Sequence, residues 1–530
     1  MNNIQKSLLS GLVIALFAFS FAATIVHATT LPFQNGQLVA ANTLNVAGSS
    51  TVGPIALEEA TQFPAYWNSL VSSNPSWGTS SALDISTVNV AELGSGTAIP
   101  ALTGGTADIG EMSRPPQASS SEWGAPAMTS MQIWAIGIDS IAIVVSPDMT
   151  WFPTNLNTAQ VAALFAETNP TDNQNQQTSG VTGTTPIYTT WGQFLTDNGF
   201  STAGVSAAAL SENIVRAVRD PTSGTFDCFN NYFVIPNGYG YLSSSGKTNG
   251  FEYKNSGGTV VGSQNMAPYI YCQENINVYD TVSAGNTAAG TDAIGFISLG
   301  YYQTYGNMIG LDISYNMANP PTSLIAYPGT AGDVNLGTPG STLPSGLSGY
   351  TWATSGTATG YSWGSYITPT RANVIYAYSG IQGTGATGKY EAWRYLWEVT
   401  PSAIPATGPL LATGVWIAYM RAYGTTSSGT SDFVNDNNYI QMNLADYTGA
   451  QDLNSNLQPY TPLPGQTQQI PNGQVGSADF FYFVNAYIAY YTGNTYNPYA
   501  DILANGHVNS ADFFAFVNQY IAYFTTYNPT

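Results

Sequence analysis

The sequence predicts an α/β fold with mostly parallel sheets over residues 44–446, because short β-rich runs alternate with helical stretches. The runs IWAIGIDSIAIVVS, ENIVRAV and DAIGFISL have the apolar, β-branched character of buried strands. NTAQVAALFAE reads as a helix that begins at Asn157, a residue type that caps helices. Residues 333–366 are rich in Gly, Ser, Thr and Pro, which indicates a surface insertion.

The N-terminus has the pattern of an export signal. Lys6 precedes the apolar run LLSGLVIALFAFSFAATIV, and VHA offers a small-residue cleavage site after Ala28. Residues 1–28 are therefore expected to be a signal peptide, with an uncleaved anchor as the alternative. The cleaved signal peptide and the uncleaved anchor both predict a protein outside the cell or at its surface.

The composition excludes several classes of function. The chain has 10 Lys and Arg against 30 Asp and Glu, a net charge of −20, which argues against nucleic-acid binding. Its two histidines are His27 and His507, so triads with a catalytic histidine and His-rich zinc sites are not expected in the main body. We expect no enzymatic activity. A secreted hydrolase that uses paired carboxylates is the remaining enzymatic alternative.

Two cysteines, Cys228 and Cys272, are expected to pair in an exported chain. Such a disulfide would contribute about 3–4 kcal/mol to stability by the chain-entropy argument. The alternative is two buried thiols.

Four glycine-, serine- and threonine-rich loops lie next to expected strands, and two of them contain one of the six arginines, Arg114 or Arg219. The last loop also opens the expected helix SGTFDCFNNYF, with Ser223 or Thr222 as its cap. Such loops hold anions because backbone N–H groups, hydroxyls and a guanidinium converge at a helix N-terminus. The four loops are VAGSSTVGP, ELGSGTAIPAL, ADIGEMSRPP and RDPTSGTFDCF.

The order and content of these loops resemble the extracellular phosphate-binding subunits of phosphate ABC importers. The resemblance implies a two-lobed periplasmic-binding-protein-like (type II) fold over residues 29–459. It places lobe 1 at about 44–135 and 290–450, and lobe 2 at about 140–290. It assigns ligand contacts to Ser50, Thr51, Ser95, Gly96, Thr97, Ser113, Arg114, Arg219, Ser223, Gly224 and Thr225, with Arg219 as the principal charge.

Three positions depart from the family pattern. Ala98 stands where a second glycine is frequent, and Ser140 stands where a glycine often follows aspartate. Arg114 occupies the place of an aspartate that accepts the proton of phosphate in some members. Asp139 is the nearest candidate for that acceptor, with a structural role as its alternative. The sequence therefore favours phosphate over sulfate as the ligand but does not decide between the two anions.

The C-terminus contains an internal repeat after an expected linker at residues 460–471. NGQVGSADFFYFVNAYIAYYTGNTYNP is followed by NGHVNSADFFAFVNQYIAYFTTYNP. The pair, residues 472–530, resembles dockerin modules, which implies a small all-α, EF-hand-like pair and a cohesin-like or other surface partner. Calcium ligands would be Asp501, Asn505 and Asp512, although Leu503 replaces the third-position oxygen ligand, and Gln468 and Ile470 degrade the first copy.

Together these features predict an exported solute-binding protein that captures phosphate, or a similar tetrahedral oxyanion, for an ABC importer permease. Binding would need no cofactor and would proceed by hydrogen bonding and hinge closure. The C-terminal module would tether the protein to the cell surface. The alternative is a structural or adhesive surface protein that reuses the binding fold.

Overall fold

The computed structural model describes the larger part of the chain. Residues 1–28, nearly all of the tract at 333–366 and residues 460–470 lie outside the described residues, and so do the expectations of a signal peptide and a linker there. The described residues are 37–114, 131–165, 188–220, 223–234, 251–254, 269–284, 292–315, 317–318, 357–358, 361–363, 365–379, 382, 384–401, 404–422, 440–447, 471, 473 and 475–526.

Seventeen strands are found in these residues. They are β1 (Thr43–Gly48), β2 (Thr87–Glu92), β3 (Ile109–Met112), β4 (Met131–Val145), β5 (Asn155–Asn157), β6 (Val215–Arg219), β7 (Phe251–Lys254), β8 (Tyr269–Cys272), β9 (Ala293–Ser298), β10 (Ile309–Gly310), β11 (Asp312–Ser314), β12 (Met317–Ala318), β13 (Thr357–Ala358), β14 (Tyr361–Trp363), β15 (Trp393–Pro401), β16 (Ile404–Pro405) and β17 (Thr495–Tyr496).

The same residues contain fourteen α-helices. They are α1 (Gly53–Ala60), α2 (Phe63–Ser73), α3 (Ser80–Leu83), α4 (Ala98–Thr103), α5 (Thr158–Phe165), α6 (Trp191–Asp197), α7 (Ala207–Ser211), α8 (Gly224–Phe229), α9 (Asn275–Ser283), α10 (Leu299–Tyr305), α11 (Arg371–Ser379), α12 (Leu411–Ala422), α13 (Ser477–Gly493) and α14 (Ser510–Thr526).

The central feature is a mixed sheet with the strand order β2-β1-β3-β15-β4-β9-β6-β8-β7 in the described residues, to which β10 is added at β4. Strands β2, β1 and β3 are parallel, and so are β9, β6, β8 and β7. The two parallel groups are joined through antiparallel pairs that involve β15 and β4. The expected α/β architecture is therefore present, with an antiparallel centre that the sequence analysis did not predict.

Strand β4 connects the two lobes. Its residues 131–140 pair with β15, and residues 141–145 pair with β9 of the second lobe. Every residue of β4 except Gln132 is buried, which matches the nearly continuous apolar run in its sequence. The pairing of β9 with β4 and β6 places residues 293–298 in the second lobe. The expected lobe boundaries, with a return to the first lobe at about residue 290, stay a prediction.

Two hydrophobic clusters form the core. One fills the second lobe, where Phe296 is buried, continues along one face of β4 and β15, where Ile143 and Tyr395 are buried, and reaches α4 and β3 of the first lobe. The other covers the opposite face of the first lobe and includes Trp416 of α12 and Phe516 of α14. The C-terminal helices therefore belong to the core of the first lobe.

The expected disulfide is not formed. Cys228 lies in α8 and Cys272 ends β8, and both are buried as separate thiols. The sulfur of Cys272 lies 3.8 Å from the hydroxyl oxygen of Thr281. Burial raises the pKa of the Cys228 thiol to about 12, so this thiol is protonated and unreactive at neutral pH.

Among the described helices, none combines the length and apolar character needed to cross a bilayer.

Candidate functional site

The first predicted loop lies between β1 and α1. Its turn is closed by the Ser49 amide, which donates to Glu111 O at 2.8 Å, and by the Thr51 amide, which donates to Ser49 Oγ at 3.1 Å. Ser50 and Thr51 are both buried. Because β1 and β3 are parallel neighbours, the loops that follow them meet at the same edge of the sheet.

The second and third loops meet through their serines. The amide of Ser113 donates to Ser95 Oγ at 3.0 Å, and the two hydroxyl oxygens lie 3.2 Å apart. Gly96 and Thr97 follow in a half-buried turn, where the Thr97 hydroxyl donates to Gly94 O at 2.8 Å. Arg114 is buried directly after Ser113.

The fourth loop connects β6 to α8 in the second lobe. Arg219 is the last residue of β6 and is fully buried. Ser223 caps α8, because its Oγ accepts from the amides of Thr225 and Phe226 at 3.1 and 3.2 Å. The expectation that Ser223 caps this helix is confirmed.

Side chains of the first and fourth loops contact one another across the lobes. Arg219 Nη2 donates to Ser50 Oγ at 2.8 Å, and its Nη1 donates to Thr225 Oγ1 at 3.1 Å. The hydroxyl oxygens of Thr51 and Thr225 are 3.2 Å apart. The structure thus brings these four predicted residues into one buried polar cluster.

Gly224 explains why the second-lobe loop can approach the first lobe so closely. A Cβ at this position would lie 2.3 Å from Ser113 Oγ and 2.4 Å from the carbonyl oxygen of Ser113. Only glycine fits against this backbone. The contact joins the fourth loop to the pair formed by Ser95 and Ser113.

Arg394, the second residue of β15, is a site residue that the sequence did not predict. Its Nη2 lies 3.0 Å from Thr225 Oγ1 and 3.4 Å from Thr51 Oγ1, while its Nη1 donates to Gly224 O at 3.3 Å. The scarcity of arginine in the chain was a usable signal, since there are six arginines in total. No local motif surrounds it, and only the pairing of β15 with β4 places it in the site.

Asp139 lies opposite Arg394 in the register of β4 and β15. Its Oδ2 accepts from Arg394 Nη2 at 2.7 Å, and its Oδ1 accepts from the Ser298 hydroxyl at 2.9 Å. Burial raises the pKa of Asp139, while the guanidinium of Arg394 acts in the opposite direction. In the structure this carboxylate therefore anchors Arg394 within the site.

The cluster contains two buried guanidinium groups, and the carboxyl groups of Glu92 and Glu274 lie near Arg219. Burial and the neighbouring Arg394 lower the pKa of Arg219 to about 10, so the Arg219 guanidinium is charged at neutral pH. The Nε atoms of Arg219 and Arg394 have no hydrogen-bond partner within the described part of the chain. Two buried cations, of which Arg394 is paired with Asp139, favour an anionic ligand.

The predicted calcium ligands lie in the loop before α14. Asp501 accepts from the amides of Asn505 and Gly506 at 2.9 and 2.7 Å, and Asp512 accepts from the amides of Leu503 and Asn509 at 3.1 and 3.0 Å. The described residues contain no group of three or more His, Cys, Asp or Glu side chains placed to hold a metal ion. These side chains supply fewer oxygen ligands than calcium usually takes in proteins. Calcium binding stays a prediction.

A family model described as a PBP superfamily domain matches residues 35–418, and the chain belongs to this superfamily. Among solved structures, a phosphate ABC transporter substrate-binding protein with bound phosphate from Clostridium perfringens is 14% identical, with a TM-score of 0.37. The match covers 76% of this chain and 99% of that one.

An ABC-type phosphate transport receptor from Vibrio cholerae is 16% identical, with 75% and 99% coverage of this and that chain and a TM-score of 0.36. A search of curated proteins finds no match to the chain. The family assignment therefore depends on the family model.

Proposed function

We propose that this protein binds phosphate, or a similar tetrahedral oxyanion, between its two lobes as the substrate-binding component of an ABC importer. The observation that carries the proposal is the buried cluster in which Arg219 and Arg394 converge with hydroxyls of both lobes. Charge-assisted hydrogen bonds from guanidinium groups are strong and suit the oxygens of an oxyanion. The names of the solved structures given above agree with this ligand.

Ligand binding would be coupled to closure of the lobes. Ser50, Thr51, Ser95 and Ser113 belong to the first lobe, whereas Arg219 and the α8 N-terminus, Ser223–Thr225, belong to the second. An anion held by both sets neutralises charge only when the lobes are together. The crossing strands β4 and β15 provide the hinge, as in other proteins that close two domains around a ligand.

Selectivity would depend on charge and on proton acceptors. A site that accepts the proton of phosphate disfavours sulfate, which carries none at neutral pH. Asp139, the expected acceptor, already receives hydrogen bonds from Arg394 and Ser298. Phosphate remains the proposed ligand, and sulfate is the competitor that the experiment must include.

The test is a calorimetric titration of the exported full-length protein with phosphate, sulfate and arsenate. The proposal expects micromolar or tighter phosphate binding that Arg219→Ala abolishes. Lys389→Ala is the matched control, because it removes the same charge from an exposed side chain and should bind like the wild type. Absence of oxyanion binding by a folded wild-type sample would refute the proposed function.

Export, the transporter and a surface partner are further parts of the proposal. Phe481 and Ile488 of α13, and the equivalent Phe514 and Ile521 of α14, are exposed large apolar side chains. A cell-surface partner, cohesin-like or other, would dock on these two faces. Pull-down of a partner by the wild type, and its loss in a Phe481→Ser, Phe514→Ser variant, would test this part.

A further inference from the structure

The two C-terminal repeats contact two different parts of the binding fold. In each repeat the glycine of the shared Asn-Gly pair has a left-handed conformation, with φ of +81° at Gly473 and +79° at Gly506. Each glycine presses against a neighbouring element so closely that a side chain could not fit. We propose that the repeat pair, residues 471–526, is an intramolecular clamp that joins the two lobes and limits how far they open.

The second repeat is attached to the first lobe. A Cβ at Gly506 would lie 2.4 Å from the ring of Trp77, and the neighbouring His507 Nε2 lies 2.7 Å from Asn74 Oδ1. The hydroxyl of Tyr66, on α2, donates to Ala504 O at 2.5 Å. Trp77 follows α2, so the loop of the second repeat is fixed to the outer helical layer of the first lobe.

The first repeat is attached to α11. A Cβ at Gly473 would lie 2.6 Å from the Cα of Ser379 and 2.8 Å from the carbonyl oxygen of Tyr378. Asp446 Oδ2 accepts from the Gly473 amide at 2.6 Å and from the Tyr378 hydroxyl at 2.8 Å. The Tyr395 hydroxyl donates to Pro471 O.

Helix α11 lies on the side of the second lobe. Val374 and Tyr378 are buried in the larger hydrophobic cluster, which includes Ile313 and Ile367 and spans both lobes. The backbones of Ile313 and Ile367 bond to each other, and β11, which contains Ile313, pairs with β5. The two repeats therefore hold elements from opposite sides of the hinge.

A third contact lies on the hinge strand itself. The Tyr499 hydroxyl accepts from the amide of Ala135 in β4 at 2.5 Å. Here the register of β4 and β15 shifts between Leu396 and Trp397, which marks a β-bulge. Arg421 lies 4.1 Å from the centroid of the Tyr499 ring and fixes it to α12. The clamp thus touches the first lobe, the hinge and the second-lobe side.

The duplication of the module follows from this role. Each loop–helix unit has one tight glycine turn that contacts the binding fold. Because the two units pack together through Phe483 and Phe516, their two turns are held at a fixed separation. Opening of the lobes would have to pull Gly473 from α11 or Gly506 from Trp77. The clamp consequently stabilises the closed arrangement in the absence of any anion.

The test measures the separation of the lobes without a ligand. Spin labels are attached at two exposed positions, Ser72→Cys in the first lobe and Ser201→Cys in the second. Pulsed electron paramagnetic resonance then reports the distance between the lobes. Tyr378→Phe with Tyr395→Phe removes the bond to Asp446, which also accepts from the Gly473 amide, and the bond to Pro471, and leaves the rings packed. One net hydrogen bond changes an equilibrium constant about fivefold, so the double variant should raise the open-to-closed ratio by more than about tenfold.

Tyr269→Phe is the matched control, because its hydroxyl bonds to Phe165 O within the second lobe. The clamp predicts a longer and broader distance distribution for the double variant only. Gly473→Ala, which forces the loop off α11, should give the same change, and Gly476→Ala should not, since its Cβ would meet only Asp479 Oδ2 at 3.9 Å. Distributions that match the wild type in both clamp variants would overturn the proposal. Since no anion is needed, failure of the proposed function leaves this test intact.

Discussion

Arg219 and Arg394 reach the same hydroxyl group, Thr225 Oγ1, from different strands at 3.1 and 3.0 Å. Arg219 also donates to Ser50, and Arg394 is held by Asp139. A buried pair of like charges is unfavourable alone, and an anion bound beside both would relieve it. Each arginine is therefore expected to contribute to anion affinity.

The first prediction concerns Arg394. Arg394→Gln should weaken phosphate binding by about tenfold to a hundredfold, because a hydrogen bond from a charged group is worth about 1.5–3 kcal/mol. The measurement is calorimetric titration, with thermal unfolding to verify the fold. Lys389→Gln, an exposed position with the same change of charge, should leave the affinity unchanged. Equal affinities of the wild type and Arg394→Gln would remove Arg394 from the site.

The second prediction concerns Gly224. Gly224→Ala places a methyl group against the backbone of Ser113, with contacts of 2.4 Å that the two loops must relieve by moving apart. Overpacking of this kind costs about 1–3 kcal/mol, so phosphate should bind about tenfold or more weakly. Gly493→Ala is the control, since its Cβ would meet only Thr495 Oγ1 at 3.6 Å. Wild-type affinity in Gly224→Ala would show that phosphate binding does not require the close contact between Gly224 and Ser113.

At the scale of the elements, β4 and β15 form the connection between the lobes and also place Asp139 and Arg394 opposite each other. Helix α8 contributes its N-terminus, where Ser223 satisfies the amides of Thr225 and Phe226. This cap also fixes the turn that presents Gly224 and Thr225 to the first lobe. Loss of the cap should therefore affect both stability and binding.

Ser223→Ala should lower the free energy of unfolding by about 1 kcal/mol and also weaken phosphate binding. Thr190→Ala is the matched comparison, because Thr190 caps α6 through the amide of Gln193 in the same way, away from the four loops. It should cost similar stability and leave affinity unchanged. Chemical denaturation and calorimetry on both variants measure the two effects. An equal loss of affinity in the two variants would contradict a role of the α8 cap in binding.

At the scale of the whole molecule, several buried carboxyl groups have no cationic partner among the described residues. Glu398 and Glu111 are register neighbours on β15 and β3, and both are fully buried. Burial raises the pKa of Glu398 to about 8, and burial with the nearby Glu398 raises that of Glu111 well above its ordinary value. Burial also raises the pKa of Glu59 to about 8.

These groups predict that stability falls as pH rises. Above about pH 4.5 the unfolded chain releases these protons, whereas the folded protein retains them until about pH 8. The folded state thus binds more protons in this window, and the free energy of unfolding should decrease from about pH 5 to about pH 8. Urea denaturation at several pH values measures this change in the free energy of unfolding. Glu398→Gln, which keeps an acceptor for Trp416, should flatten the dependence, and an unchanged slope would contradict the assignment.

Local signals were sufficient to predict the buried strands β4, β6 and β9 and the helix α5, because apolar runs and helix caps are visible in the sequence. Arg394 was missed because its partner Asp139 is 255 positions away and their proximity depends on strand pairing. The contact of the repeats with the lobes was missed for the same reason. Trp77 and Gly506 carry no local sign that they touch.

The most direct test of the central claim is anomalous diffraction from crystals of the protein grown with arsenate. The account predicts one arsenic peak between the lobes, with its oxygens within hydrogen-bonding distance of Arg219, Arg394 and the hydroxyls of Ser50 and Thr225. An arsenic peak elsewhere, or none at saturating arsenate in well-ordered crystals, would contradict the claim that these loops form an oxyanion site.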